Sequence, residues 1–197
     1  MAAFVFAVLL LMVTPGPGVL STAGLGSGFG FRAGLAYVFG LWLGNNGVAI
    51  AVVSGLAALM LSIPWLRMLL LAASVAYLFY LAAKIAFSGS RIGFIHAERP
   101  PGMWGGLALQ AINPKAYVVH TTLMSGFAFM PQNLPVEIGL KFLLMNLIWI
   151  PIHLAWLWAG VAVNRLDLPP HQQRAINIAM ALAMLAVVGL AILNRPV

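Results

Sequence analysis

An all-α integral membrane fold, with six transmembrane helices arranged as two inverted three-helix repeats, is predicted by three observations. The chain is 63% hydrophobic with only 7% charged residues and has a mean hydropathy of +1.03, far from a soluble average. Its 197 residues divide into apolar stretches at or above the roughly 20 residues that a bilayer core about 30 Å thick requires. Short polar segments separate them and leave no room for a soluble domain. The third observation is a pair of matching interruptions, VTPGPG over Val13 to Gly18 and INPKA over Ile112 to Ala116. Their prolines forbid a continuous helix in the middle of an apolar run.

The elements follow in order. The first apolar stretch, about 2 to 24, opens on MAAFVFAVLLLM; it lacks the basic n-region of a signal peptide and is expected to stay as a first transmembrane segment, broken at Thr14-Pro15-Gly16-Pro17. The second, about 34 to 61, carries Gly34, a small-residue face at Gly40-Leu41-Trp42-Leu43-Gly44, and Asn45-Asn46. Ser62-Ile63-Pro64 is a turn before the third stretch, about 65 to 87. The longest polar connection, Ser88 to Gly102, precedes the fourth, about 103 to 130, which is broken at Asn113-Pro114-Lys115-Ala116. Met130 to Pro135 (MPQNLP) leads into the fifth, about 136 to 163, which carries Asn146. Asp167-Leu168-Pro169-Pro170 leads into the sixth, about 173 to 194.

Pro15 and Pro114 stand 99 positions apart, and the same offset brings Asn45-Asn46 within a residue of Asn146. Each half thus reads as broken helix, Asn-bearing helix, plain helix, giving repeats of about 1–88 and 103–197 within a single transporter domain, 1–197. Three spans per repeat is an odd number, so the second copy inserts upside down. Inverted repeats with interrupted helices in matching positions point to a secondary transporter that binds its substrate near the midplane.

The formal charge of +7 comes from ten Lys and Arg against three acids. A basic excess can signal nucleic-acid binding, but here the basic residues stand singly at the ends of apolar stretches, as topology signals and headgroup anchors do. No nucleic-acid partner is expected; the lipid bilayer is. Arg32, Lys84, Arg91, Arg99, Arg165 and Arg174 fall on the side of the odd-to-even connections, against Arg67, Lys141 and Arg195 on the other. The positive-inside rule then puts both termini on the non-cytoplasmic side. With no cysteine there is no disulfide, thiolate metal site or thiol redox chemistry.

Polar side chains within the spans are Asn45, Asn46, Gln110, Asn113, Lys115, His120, Thr121, Thr122, Asn146 and His153, and in hydrocarbon such groups face a protein interior or a water-filled path. Asn45 by itself reads as interhelical packing glue. Lys115 lies at least ten residues from either end of its span, too deep to snorkel unless that span starts later. No acid is available mid-span, so a buried ammonium there wants a substrate carboxylate. Each proline break frees carbonyls that suit an ammonium and, where the helix resumes, N–H groups that attract a carboxylate. Two opposed breaks therefore suit a zwitterion. His120 and His153 read either as proton relays or as satisfied structural histidines. Neither has Asp or Glu at helical spacing, so no metal site is expected. The glycine run from Gly24 to Gly34 lacks the Lys-Ser/Thr ending of a phosphate loop, and Ser-His-Asp chemistry fails for want of a buried acid.

On Thr14-Pro15-Gly16-Pro17, Gly34 with Gly40 and Gly44, Ala76 to Leu81 (AYLFYL) and Asn113-Pro114-Lys115-Ala116, the chain resembles the LysE/RhtB family of bacterial amino-acid exporters, small six-span proteins of about this length. The resemblance covers nearly the whole chain. It implies export of amino acids or close derivatives across the inner membrane, driven by the electrochemical gradient, and leaves the substrate open. Members often carry Asn after TPGP, where this chain has Gly18-Val19-Leu20, and Phe-rich sequence after NPKA, where it has Val119-His120-Thr121-Thr122.

The combined expectation is an exporter of small zwitterionic metabolites working by alternating access, with no enzymatic activity and no cofactor. Thr14, Pro15, Gly16, Pro17, Asn113 and Pro114 would form the substrate site, with Lys115 as carboxylate partner and Asn46 and Asn146 as orienting groups. A divalent-cation exporter of related architecture is the alternative in the same class, disfavoured by the missing intramembrane acids. A membrane-embedded enzyme or scaffold is the alternative outside it. The Gly40/Gly44 face would serve helix pairing within the chain or in a homo-oligomer.

Overall fold

The computed structural model describes residues 1–14, 16–86 and 99–166, together with 169, 171–172, 174–176, 178–179, 181–182 and 185. Pro15, Arg91, Glu98, Asp167, Leu168, Pro170 and Arg195, most of the 88–102 connection and much of the sixth stretch lie outside the described residues. Among the described residues the chain is helical throughout, without strands. The helices are α1 (Ala2–Val13), α2 (Pro17–Val53), α3 (Leu56–Ser62), α4 (Pro64–Ala86), α5 (Gly102–Ile112), α6 (Pro114–Gly126) and α7 (Leu134–Arg165). The described residues between 171 and 185 are helical as well.

Each boundary has a local cause. At the end of α1 the Thr14 N–H still bonds to the Leu10 carbonyl, but the next residue is a proline with no N–H to give. The helix resumes with Gly16 as an extended N-cap and Pro17 in its first turn, where a missing N–H costs nothing. Helix α2 has 37 residues, about 55 Å if straight, which exceeds a bilayer. It is in fact two helices meeting at Gly30, whose φ of 80° and ψ of 179° suit only glycine.

The second expected stretch ends earlier than the hydropathy predicts, at Val53 rather than near 61. Ser54 and Gly55 end the helix in the left-handed manner: Gly55 has φ 78°, and the two N–H groups return to Ile50 and Val52. The remaining apolar residues form α3. Pro64 opens α4 as expected. In the fourth stretch Asn113 both ends α5 and caps α6, and Asn133 caps α7 with its side chain. Helices Pro17–Val53, Pro64–Ala83 and Leu134–Val163 are long and apolar enough to cross a membrane. Phe6, Ile50, Leu59, Val118 and Leu147 stand exposed on the outside, an apolar surface suited to hydrocarbon.

Close backbone approaches hold the helices together. Built onto Gly40, a Cβ would strike the Met103 carbonyl, and on Gly106 it would strike the Tyr37 carbonyl. Helices α2 and α5 therefore cross in contact, and the Gly40/Gly44 face is used within the chain. Farther up α2, Gly26 lies against the Leu157 carbonyl (2.6 Å to a Cβ), and Gly160 of α7 against the Ala23 carbonyl. Gly34 accommodates the Leu157 side chain. Each broken helix thus packs on the Asn-bearing helix of the other half, as small residues allow in membranes.

Candidate functional site

The two breaks meet. Half-helices α1 and α5 have 12 and 11 residues, about 18 and 16 Å long at 1.5 Å per residue, each about half the roughly 30 Å thickness of a hydrocarbon core. Lys115, the second residue of α6, lays its stem across Gly16: a Cβ at Gly16 would stand 2.9 Å from both Lys115 Cδ and Nζ. Its ammonium donates to the Thr14 carbonyl at 2.7 Å. A cavity of about 50 Å³ opens around this contact. Its walls include Thr14, Gly16 and Gly18 from the first break, Asn113, Lys115 and Ala116 from the second, and Asn45, His120, Trp149 and His153 around them. Among the described residues no Asp or Glu lines it.

The polar wall is a directional chain. The Lys115 backbone N–H can only donate, and it donates to Asn113 Oδ1 at 3.1 Å. Asn113 Nδ2 therefore donates onward to Gln110 Oε1 at 3.2 Å, and Gln110 Nε2 to Asn45 Oδ1 at 2.9 Å. His120 Nε2 lies 3.0 Å from the same Asn45 oxygen, which can only accept, so Nε2 carries the proton and Nδ1 is a bare acceptor. That Nδ1 is buried without a partner among the described residues. In His153, Nδ1 donates to the Trp149 carbonyl at 2.9 Å and the ring stacks on Trp149 with centroids 3.5 Å apart. Nε2 is left as the acceptor, beside Gly18 at 3.5 Å from a Cβ built there.

The two helix starts differ. Asn113 caps α6 with its side chain, whereas α2 has no side-chain cap. The start of α2 thus offers its positive end to the same cavity that holds the Lys115 ammonium. The cavity thereby combines a cation and an uncapped helix start, which suit a carboxylate, with the Thr14 carbonyl and His153 Nε2, which suit an ammonium.

The residues expected at the site separate into two groups. Thr14, Gly16, Asn113 and Lys115 come together around the cavity with His120 and His153. Pro17 and Pro114 occupy the first turns of α2 and α6 and set the breaks; Pro15 lies outside the described residues. Asn46 and Asn146 are placed elsewhere, bonded to each other. Asn46 Nδ2 donates to Asn146 Oδ1 at 3.1 Å and Asn146 Nδ2 to Asn46 Oδ1 at 2.9 Å. Each also donates to the carbonyl four residues back, of Trp42 and Phe142, and Trp42 Nε1 joins the pair at 2.6 Å. It is Asn45 that lines the cavity, with Gln110 and Trp149. Gln110 was legible as the polar residue one turn before Asn113 on the same helix face.

An ion pair lies away from the cavity. Lys141 Nζ and Glu137 Oε1 on α7 stand 2.8 Å apart, their side chains 2% and 3% exposed. Glu137 also accepts from the Phe129 and Met130 N–H groups, and Lys141 donates to the Met124 carbonyl at 2.9 Å. The pair ties the end of α6 to the start of α7, and the Lys141 ammonium lies 5.8 Å from the centre of the Phe4 ring of α1.

Among known proteins, the chain is similar to the cysteine/O-acetylserine efflux protein of Salmonella paratyphi A (strain ATCC 9150 / SARB42), with 30% identity over 187 residues covering 93% of each chain. It is also similar to the cysteine/O-acetylserine efflux protein of Escherichia coli (strain K12), with 29% identity over 185 residues, again 93% of each. No solved structure matches it. The family model described as LysE type translocator matches residues 9–195, nearly the whole chain and both broken helices, and on that match this apolar, helical membrane protein belongs to the LysE type translocator family.

Proposed function

We propose that the chain is a secondary transporter that exports small zwitterionic amino acids from the cytoplasm across a bacterial inner membrane by alternating access. The observation that carries this reading is the Lys115 ammonium on the Thr14 carbonyl at 2.7 Å, which joins the two breaks in one polar cavity. The substrate's α-carboxylate docks between Lys115 and the uncapped start of α2, and its α-ammonium on the Thr14 carbonyl with His153 Nε2 nearby. Asn113, Gln110, Asn45 and His120 hold the second break in place. The names of the similar efflux proteins bring cysteine and O-acetylserine to this chain as the first substrates to try; both are small α-amino acids.

The cavity of about 50 Å³ has room for a few water molecules and less than a whole amino acid. Carrying one therefore requires the walls to separate, first toward one side and then the other. The repeats are taken as inverted copies of about 1–88 and 103–197. The reciprocal Asn46–Asn146 pair, in which each amide bonds its partner and its own i−4 carbonyl, supports a pseudo-two-fold between them. Both termini are placed on the non-cytoplasmic side.

The test is transport by purified protein in liposomes loaded with radiolabelled O-acetyl-L-serine or L-cysteine. Wild type is expected to release label faster than empty liposomes, and Lys115→Ala at equal incorporation to release it at least tenfold more slowly. Equal export by Lys115→Ala would remove the carboxylate role of Lys115. Absence of transport of any α-amino acid by wild type would remove the exporter reading.

A further inference from the structure

We infer that Lys115 is also the transporter's own substitute for the substrate ammonium: it occupies the Thr14 carbonyl in the empty carrier and so allows that carrier to close and return. The inference rests on the function proposed above and adds a role for Lys115 in the half of the cycle when no substrate is bound.

The geometry is specific. Among the described residues no carboxylate lines the cavity, so the ammonium has neutral acceptors to choose from, and Lys115 Nζ has settled on the Thr14 carbonyl. Gly16 is what lets it reach there, because a Cβ at that position would stand 2.9 Å from both Cδ and Nζ. The carbonyl is exposed because the break ends α1 one residue before it, and Pro15 and Pro17 supply no N–H groups around it. The same carbonyl is where the substrate's α-ammonium is placed. Two ammonium groups hydrogen-bonded to one carbonyl oxygen would sit within a few ångströms of each other, where like charges repel.

Arrival of substrate therefore swaps partners. The incoming ammonium takes the Thr14 carbonyl, and Lys115 Nζ moves to the carboxylate that arrives with it. On release Lys115 swings back. Since a zwitterion adds no net charge, the site holds the same charge loaded and empty, and the carbonyl is satisfied in both states. A carrier lacking Lys115 would have to close its empty site on a bare carbonyl, which slows that one step by about tenfold or more. Exchange of substrate for substrate never passes through the empty closed state and escapes this penalty.

The experiment uses the full chain in liposomes and radiolabelled O-acetyl-L-serine in two modes: net efflux into substrate-free buffer, and exchange against saturating unlabelled substrate outside. Lys115→Met is expected to raise the half-saturating concentration in both modes. At saturating load its net efflux falls at least tenfold further than its exchange. Lys115→Arg, which keeps a cationic donor, is expected to bring the ratio of net efflux to exchange back toward wild type. Gly16→Ala, which leaves Lys115 in the chain but pushes its stem off the first break, is expected to lower the ratio as Lys115→Met does, and serves if that variant does not fold. Equal losses in both modes for these variants would reduce Lys115 to a carboxylate partner and overturn the inference. A wild type that moves no α-amino acid in either mode would instead overturn the function on which it rests.

Discussion

At the scale of single residues, the site depends on a chain of amides whose polarity is set by one backbone N–H. Gln110→Leu removes the middle link and orphans Asn113 Nδ2 in a buried wall, while Asn45 Oδ1 keeps His120 Nε2. It should cost about 1–3 kcal/mol for the orphaned group, read as a lower unfolding midpoint in detergent, while Gln110→Glu, of similar shape, should cost less only at pH low enough to protonate it. The Glu137–Lys141 pair has the opposite character. Lys141→Ala leaves a carboxylate without its cation and should lower the midpoint more than the double variant Glu137→Gln/Lys141→Met, since an isolated buried charge is worse than none. Lys115 was legible in the sequence as a deep, unpaired cation. That its partner would be the Thr14 carbonyl was not, because a backbone acceptor freed by a break 101 positions away leaves no side-chain signal.

At the scale of elements, the stops and starts were the most readable features. Pro64 and the Asn113-Pro114 pair fall where the residues dictate, while α7 starts at Leu134 on an Asn133 cap, slightly earlier than expected. The early end of α2 at Val53 was missed because hydropathy runs on through Ser54-Gly55 into α3, although the Ser-Gly pair is a helix stop in its own right. The kink at Gly30 was hidden in a glycine-rich run where no single glycine stands out. Asn46 and Asn146 were expected at equivalent positions of the two halves; that they bond each other away from the cavity follows from helix rotation, since Asn45, one position away and about 100° around the helix, faces inward instead. The Asn46–Asn146 bond is a packing contact, and a double-mutant cycle with Asn46→Ala and Asn146→Ala should give a coupling of about 0.6 kcal/mol, up to about 1.7. Gly106→Leu drives a side chain into the Tyr37 carbonyl, and is expected to lose folded protein altogether, as overpacking against backbone has no flexible neighbour to yield. Size-exclusion chromatography at equal expression reads this directly.

At the scale of the whole molecule, the composition pointed to the membrane class and the two breaks to the candidate site, since half-helices of 11 to 13 residues are each about half as long as a bilayer core is thick. Which neighbours complete that site depended on helix rotation and crossing, set by Gly26, Gly40, Gly106 and Gly160 touching opposing backbone; small residues permit such contacts without specifying their partner. The central claim is that the two breaks form one substrate site. The chain has no native cysteine, so single cysteines at Val19 and Ala116, one from each break and both on the cavity wall, can be labelled without background. Alkylation of Val19→Cys and of Ala116→Cys in liposomes should be slowed by the amino acid that the transport assay shows to be carried, with the same half-protecting concentration at both positions. Protection at one position alone, or at neither, would contradict a shared site.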